Sequence, residues 1–103
     1  MNKIYDAIIG LVIGDALGVP YEFKDRNSFE CKDMVGYGTY NQPKGTWSDD
    51  SSMTLATIES ISRSGKVDIK DIANNFINWL YYGQFTPYGA VFDVGSTTKI
   101  ALD

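Results

Sequence analysis

The chain contains no histidine and only one cysteine among its 103 residues. The lack of imidazole excludes histidine metal ligands and histidine-based acid–base or Ser-His-Asp catalysis from this chain. Cys31 alone forms neither an internal disulfide nor a cysteine-based zinc site. Any chemistry that the chain performs must therefore use carboxylates, hydroxyls, backbone groups and metal ions.

Basic residues are also few, since nine Lys and Arg against thirteen Asp and Glu give a net charge of −4. This balance argues against tight binding to long nucleic acid, which requires several Lys or Arg side chains to neutralise phosphates. No window reaches ~18 consecutive apolar residues, as a membrane span would, and the N-terminus lacks a signal-peptide pattern. The sequence therefore predicts a cytoplasmic chain with neither nucleic acid nor membrane as a partner.

The apolar content is sufficient for a folded core, because 44% of the residues are hydrophobic and 14% are aromatic. Helical periodicity and capping signals predict helices near residues 2–17, 49–64 and 68–82, with a further helix starting at Gly95 or Ser96. The first helix is apolar on most sides and is predicted to be buried. No strand-like alternation reaches a useful length. The predicted fold is therefore all-α, with about four helices and a long loop between the first two.

Two adjacent aspartates, Asp49 and Asp50, follow Ser48 at the start of the second helix. Neighbouring carboxylates repel each other, so such a pair usually requires a cation, a donor network or bulk water. One interpretation is helix capping, because Ser48 or Asp49 can accept a first-turn N–H and the helix dipole favours Asp there. The other is that the three side chains supply hard oxygen ligands to Mg²⁺ or Mn²⁺. Residue types alone leave both interpretations open.

Polar or acidic segments lie at three loop-to-helix junctions, and such junctions can converge at one end of a helical bundle. The segments are Gly14-Asp15-Ala16-Leu17-Gly18 followed by Glu22, then Ser48-Asp49-Asp50, then Asp93-Val94-Gly95-Ser96-Thr97-Thr98. In this order, and with their flanking residues 9–23 and 47–53, they resemble the ADP-ribosylglycohydrolase family. The resemblance implies an all-α fold with a two-metal Mg²⁺ or Mn²⁺ centre that removes ADP-ribose from a modified protein side chain or a small molecule.

The resemblance also implies residue roles. Ser48, Asp49 and Asp50 match the metal-binding motif of the family, and Asp50 is also a catalytic candidate. Glu22 matches an acidic residue near the distal ribose and is a candidate base or substrate-positioning group. Asp93, Gly95, Ser96 and Thr97 match a segment that lines the ADP-ribose pocket. For Asp15 we predict a structural or ligand-supporting role.

The chain departs from the family pattern in its length. Family members are more than twice as long, and a C-terminal Asp-x-Asp-Thr type motif that completes their metal site has no counterpart here. We therefore predict that residues 1–103 form the N-terminal part of one ADP-ribosylglycohydrolase-like domain, with weak metal binding and little or no hydrolysis in isolation. Without the later helices of the family, apolar faces of the first and third helices would be exposed, which would favour a homo-oligomer or a complementing C-terminal segment. The alternative is a non-catalytic helical module for nucleotide binding or assembly.

Overall fold

The computed structural model describes residues 2–103, and its regular elements are helical. Four α-helices are present in this part of the chain: α1 (Lys3–Gly18), α2 (Asp49–Ser64), α3 (Ile69–Tyr82) and α4 (Ser96–Leu102). Two short 3₁₀ turns, Val19–Tyr21 and Gly38–Tyr40, lie between α1 and α2. Pairing of extended backbone in residues 2–103 is limited to one isolated bridge, between Tyr37 and Gln42. The predicted all-α class and the long loop between the first two helices are confirmed.

The chain divides into two compact units, the first ending at Ser48 and the second starting at Asp49. In the first unit, Asn2 caps α1 by accepting hydrogen bonds from the backbone N–H groups of Ile4 and Tyr5. The helix ends where Pro20 enters the first 3₁₀ turn. The start and end of α1 thus have local causes in the sequence.

The prediction from composition that α1 is buried is wrong, whereas the exposure of its apolar face, expected in the absence of the later helices, is observed. Only Ala16 of this helix is buried, whereas its large apolar side chains are exposed at Ile4, Tyr5, Ile9, Leu11 and Ile13. Within the first unit, the only element packed against α1 is the 3₁₀ turn that directly follows it, and so short a turn cannot cover a helix of four turns. In residues 2–103, the stretch Lys3–Tyr21 is also the only helix with the length and mean hydropathy of a membrane span, a property shared with core helices of soluble proteins.

The two 3₁₀ turns pack against each other and form what we call the turn pair, Val19–Tyr21 with Gly38–Tyr40. Gly38 has φ +59°, and a Cβ added there would lie 2.1 Å from the carbonyl oxygen of Pro20. Only glycine combines that conformation with so close an approach of two backbones. Val19 and Pro20 of this pair are buried. The long loop is therefore ordered by a specific backbone contact.

In the second unit the helix ends are those that the sequence predicts. The helix α2 begins at Asp49, and Gly65 with φ +75° follows its last residue. Asp68 caps α3 by accepting the N–H of Asp71, and Gly83 ends α3 in the left-handed conformation. These caps satisfy backbone groups that a helix end leaves without intrahelical partners.

The helices α2 and α3 pack together through small and polar side chains. Ser52, Ala56 and Ser60 are buried at four-residue intervals along α2, while α3 buries Asn75 and Trp79. The Asn75 amide nitrogen donates to the carbonyl oxygen of Ala56 at 2.9 Å. Small side chains allow close approach of the two backbones, and the hydrogen bonds satisfy the polar groups that this approach buries.

A charged bridge extends the same interface toward the end of α2. The Arg63 guanidinium contacts Glu59 at 2.8 Å on its own helix and Asp71 at 2.6 Å on α3, and the Ser60 hydroxyl also donates to Asp71. The Ser60 hydrogen bond, followed by the Arg63 contact, lowers the pKa of the Asp71 carboxyl. Hydrogen bonds from Arg63 and then Asn75 lower the pKa of Glu59, and both carboxylates raise the pKa of Arg63. The bridge therefore joins α2 to α3 in its charged form.

Candidate functional site

The buried residue Ser48 precedes the first residue of α2 and is held by a carboxylate of α1. Its backbone N–H donates to Asp15 Oδ2 at 2.8 Å, and its hydroxyl donates to Asp15 Oδ1 at 2.5 Å. Ser48 is 4% exposed, and Asp15 is half-buried. Both partners belong to the first unit, so the structure brings Asp15 to Ser48 across 33 positions of the chain.

Asp49 and Asp50 are the first two residues of α2. The backbone N–H of Asp50 donates to Asp49 Oδ1 at 3.0 Å. Asp49 is half-buried and Asp50 is exposed. A helix start stabilises carboxylates through its dipole and its unpaired N–H groups, so the position favours negative charge with or without a cation. The capping and metal-ligand interpretations are both compatible with this geometry.

Glu22 follows the first 3₁₀ turn and is held by the second. The Tyr40 hydroxyl donates to Glu22 Oε2 at 3.0 Å, and the Thr39 hydroxyl donates to the Glu22 carbonyl oxygen at 2.5 Å. The Glu22 side chain is half-buried, whereas the following residue, Phe23, is 86% exposed. Sequence reasoning missed Tyr40 because no periodicity links residues 18 apart in a loop.

Asp93 lies in the second unit beside a cavity of about 320 Å³ between the ends of α3 and α4. The cavity is lined by Leu80, Tyr81, Val91, Phe92, Asp93, Val94, Lys99 and Asp103. The Tyr81 hydroxyl donates to the Asp103 carboxylate, and this hydrogen bond raises the pKa of Tyr81.

Of the residues that follow Asp93 in the predicted pocket segment, Val94 also lines the cavity, whereas Gly95, Ser96 and Thr97 do not. Gly95 occupies the N-cap position of α4, as the sequence predicts, and Ser96 and Thr97 form its exposed first turn. The structure therefore joins Asp93 to a cavity and leaves Gly95, Ser96 and Thr97 on the adjacent surface.

Metal ligands are limited in number in this part of the chain. Within residues 2–103, no three His, Cys, Asp or Glu side chains form a group that could hold a metal ion. The candidate set at Ser48, Asp49 and Asp50 consists of two carboxylates and one hydroxyl, contributed by consecutive residues. Hard divalent cations take six or more oxygen ligands, so these residues could supply only part of a coordination shell.

The helical fold defines an all-α protein. The sequence model of one family, ADP-ribosylglycohydrolase, matches residues 1–103, and the chain belongs to this family. The resemblance deduced from the three motifs is thereby confirmed.

Three relatives illustrate the relationship. Over its full length the chain is 38% identical to an ADP-ribosylarginine hydrolase, Tri1, of Serratia proteamaculans and 36% identical to the protein of that name from Pseudomonas putida. An ADP-ribosyl-[dinitrogen reductase] glycohydrolase of Rhodospirillum rubrum is 34% identical over 77% of this chain. The chain covers 28%, 28% and 29% of these relatives, respectively, and thus spans less than a third of their length.

Proposed function

We propose that this chain contributes to the metal-dependent hydrolysis of the glycosidic bond that links ADP-ribose to a modified protein side chain or small molecule. The observation that carries the proposal is the family match over residues 1–103. Two relatives are named ADP-ribosylarginine hydrolases, and a third is named for ADP-ribosylated dinitrogen reductase. ADP-ribosylarginine on a protein is therefore the first substrate to test, and its bond is N-glycosidic.

The donor chemistry at residues 48–50 supports a metal of the Mg²⁺ or Mn²⁺ type. Ser48 offers a buried hydroxyl oxygen, and Asp49 and Asp50 offer carboxylates at a helix start. These are the hard oxygen ligands that such cations prefer. Residues Ser48, Asp49 and Asp50 would hold the metal. When bound, it would polarise substrate oxygens and lower the pKa of a coordinated water.

Glu22 is the candidate for proton transfer or for contact with ribose. Glycosidic hydrolysis needs a carboxyl group that can accept or donate a proton as the oxocarbenium-like transition state forms. Tyr40 donates to Glu22 Oε2 and restricts the rotation of the carboxylate. Such restriction reduces the entropy cost of placing a catalytic group against its substrate. Asp50, the other catalytic candidate, offers an exposed carboxylate at the start of α2.

The second unit would contribute to the binding of ADP-ribose. Asp93 lines a cavity large enough for part of a nucleotide, and the first backbone N–H groups of α4 have no intrahelical partners. Ser96 and Thr97 would present such groups to the diphosphate, and Gly95 places no side chain in their way. Asp93 would accept hydrogen bonds from hydroxyl or amino groups of the ligand.

Association with further protein surface belongs to the same proposal. Ile4, Ile9 and Leu11 of α1 are exposed apolar residues, and apolar patches of this kind are usually covered by protein. We propose that a second copy or a complementing C-terminal segment covers them and completes the metal site. A cytoplasmic location, with neither nucleic acid nor membrane as a partner, completes the proposal.

Calorimetric titration of the chain with Mn²⁺ and then ADP-ribose tests the proposal. We expect weak binding that is reduced by Asp49→Asn, Asp50→Asn or Glu22→Gln. Asp33→Asn is the matched control, because it removes the same charge from an exposed loop. Absence of binding would favour the non-catalytic module. If Asp49→Asn changed stability alone, the aspartates would be caps.

Hydrolysis is measured on the same samples, purified free of other hydrolases. Little or no release of ADP-ribose is expected from the isolated chain. An appreciable rate that Asp49→Ala abolishes would show that the isolated chain is active.

A further inference from the structure

Both carboxylate oxygens of Asp15 accept hydrogen bonds from Ser48. We propose that Asp15 is a positioning residue that directs the lone pairs of the Ser48 hydroxyl toward a divalent cation. The inference rests on the proposed function, because it assumes that Ser48 is a ligand. It adds a residue that does not contact the metal but decides whether one ligand is oriented to do so.

The direction of the Ser48–Asp15 hydrogen bond follows from the chemistry of its partners. An ionised carboxylate only accepts hydrogen bonds, so the Ser48 hydroxyl must be the donor in its contact with Asp15 Oδ1. A hydroxyl has one proton and two lone pairs. With the proton directed at Asp15, both lone pairs of Ser48 Oγ point away from Asp15. A cation binds to such a lone pair, whereas the hydroxyl proton would repel the cation if it pointed toward it.

The second hydrogen bond fixes the side chain as well as the proton. The Ser48 backbone N–H donates to Asp15 Oδ2 and holds the residue against α1. The Ser48 Oγ is held at the other carboxylate oxygen, Asp15 Oδ1, at 2.5 Å. Donation to a charged acceptor is stronger than donation to a neutral one and increases the negative charge on the hydroxyl oxygen. Histidine metal ligands are oriented in the same manner by carboxylates that accept their second N–H.

A purely structural role for Asp15 makes a different prediction. The same hydrogen bonds tie α1 to the segment that precedes α2 within the first unit, and α1 has little other burial. If the contact only stabilises the unit, its loss will lower the unfolding midpoint without a specific effect on metal affinity. The two roles are separated by measuring whether Asp15 acts through the Ser48 hydroxyl.

A double-mutant cycle measured with Mn²⁺ alone makes this separation. Free Mn²⁺ is followed by electron paramagnetic resonance during titration of the full chain. We expect Asp15→Asn to weaken Mn²⁺ binding about 10-fold, the lower end of the effect of residues that orient ligands. Ser48→Ala should weaken binding by a similar factor. The double variant should bind no more weakly than Ser48→Ala alone, because the orienting residue has nothing left to orient.

Two further variants serve as controls. Asp6→Asn removes the same charge from an exposed position of the same helix and should retain wild-type Mn²⁺ affinity. Ser48→Thr keeps the hydroxyl, so Asp15→Asn should weaken Mn²⁺ binding in that background as well. Circular dichroism confirms folding of each variant. If Asp15→Asn does not fold, Asp15→Glu replaces it in the cycle, since the longer carboxylate cannot keep both hydrogen bonds in place.

The inference is overturned if the Asp15 variant binds Mn²⁺ as the wild type does. It is also overturned if the two single effects multiply in the double variant, because Asp15 would then act by its charge or by direct contact. In both cases the wild type binds Mn²⁺ and the proposed function stands. A wild-type chain that binds no Mn²⁺ overturns the metal part of the proposed function together with this inference.

Discussion

The two units of the chain hold their candidate residues in different ways. In the first unit, Glu22 accepts a hydrogen bond from Tyr40 of the long loop. Ser48 donates a hydrogen bond to Asp15 of α1. In the second, Asp49 and Asp50 are placed by a helix that packs along α3. The first arrangement depends on a few specific contacts between distant residues, and the second depends on a continuous interface.

This difference determines which changes each unit tolerates. A loop that is held by the close approach of two backbones is destabilised when a single atom is added at the contact. A helix pair instead loses stability in proportion to the apolar volume and the hydrogen bonds that are removed. Substitutions in the first unit should therefore disrupt one local contact, whereas substitutions in the second unit should lower stability in proportion to the volume and hydrogen bonds removed.

The largest effect is expected from Trp79→Ala in α3. Trp79 is 1% exposed, and removing a large buried aromatic side chain costs about 3–5 kcal/mol. Tyr82→Ala, at a position 74% exposed on the same helix, should cost less than about 0.5 kcal/mol. Urea unfolding followed by circular dichroism measures both. Equal midpoints for the two variants would contradict the assignment of Trp79 to the core.

Trp79→Ala also tests whether the units are independent. The chain has two tryptophans, so Trp47 of the first unit remains as the only fluorescent indole. If its unfolding transition stays at the wild-type urea concentration while the helical signal is lost earlier, the first unit is stable by itself. Coincident transitions would show that the units unfold together.

A smaller effect, confined to the first unit, is expected from Gly38→Ala. The added Cβ would meet Pro20 within 2.1 Å and hold alanine at φ +59°. Gly45→Ala is the matched control, because Gly45 also has positive φ but no atom lies within 4 Å of its added Cβ. The control should cost about 1 kcal/mol for backbone strain, and Gly38→Ala at least about twice as much.

Amide hydrogen exchange locates the effect of Gly38→Ala. In the wild type, the N–H of Asn41 donates to the carbonyl of Gly38, and the N–H of Glu22 donates to that of Val19. We expect exchange at these two amides to accelerate in Gly38→Ala more than in Gly45→Ala, while α2 and α3 keep their protection. Uniform acceleration over both units would show that the turn pair does not act locally.

The smallest effect is the acid dependence of the second unit. The pKa values of Glu59 and Asp71 are lowered from their ordinary values of 4.5 and 3.8 in the folded chain. Their stabilisation is therefore present above those values and is lost as pH falls through the lowered ones. The urea midpoint of the helical signal should decline from about pH 5 downward, and Arg63→Gln should flatten that decline. The same slope in this variant would exclude the Arg63 bridge as the cause.

The sequence specifies the second unit more completely than the first. Asp68, Gly65 and Gly83 mark helix ends because capping depends on neighbouring residues, and the structure places these residues at the predicted ends. The start of α2 at Asp49 follows from the same local signals. The cavity beside Asp93 could not be predicted in shape, because it depends on how α3 and α4 end next to each other.

In the first unit, the sequence predicts the candidate site residues but not the contacts that they make. Glu22, Ser48 and Asp15 were predicted to matter, yet the Tyr40 hydroxyl on Glu22 and the pairing of Asp15 with Ser48 join positions 18 and 33 apart. Such pairs are determined by tertiary structure rather than by periodicity. The burial of α1 was predicted wrongly because apolar composition shows what a helix can bury, not what covers it.

The buried serines of α2 determine how precisely its first residues are placed along the helix axis. A shift of α2 by four residues, about 6 Å along its axis, would bring Ala56 to the place of Ser60 and remove the hydroxyl that donates to Asp71. A polar group left without its partner at such an interface costs up to about 1–3 kcal/mol, so the observed register is favoured. Hydrogen bonds made several turns away thus determine the axial position of Asp49 and Asp50.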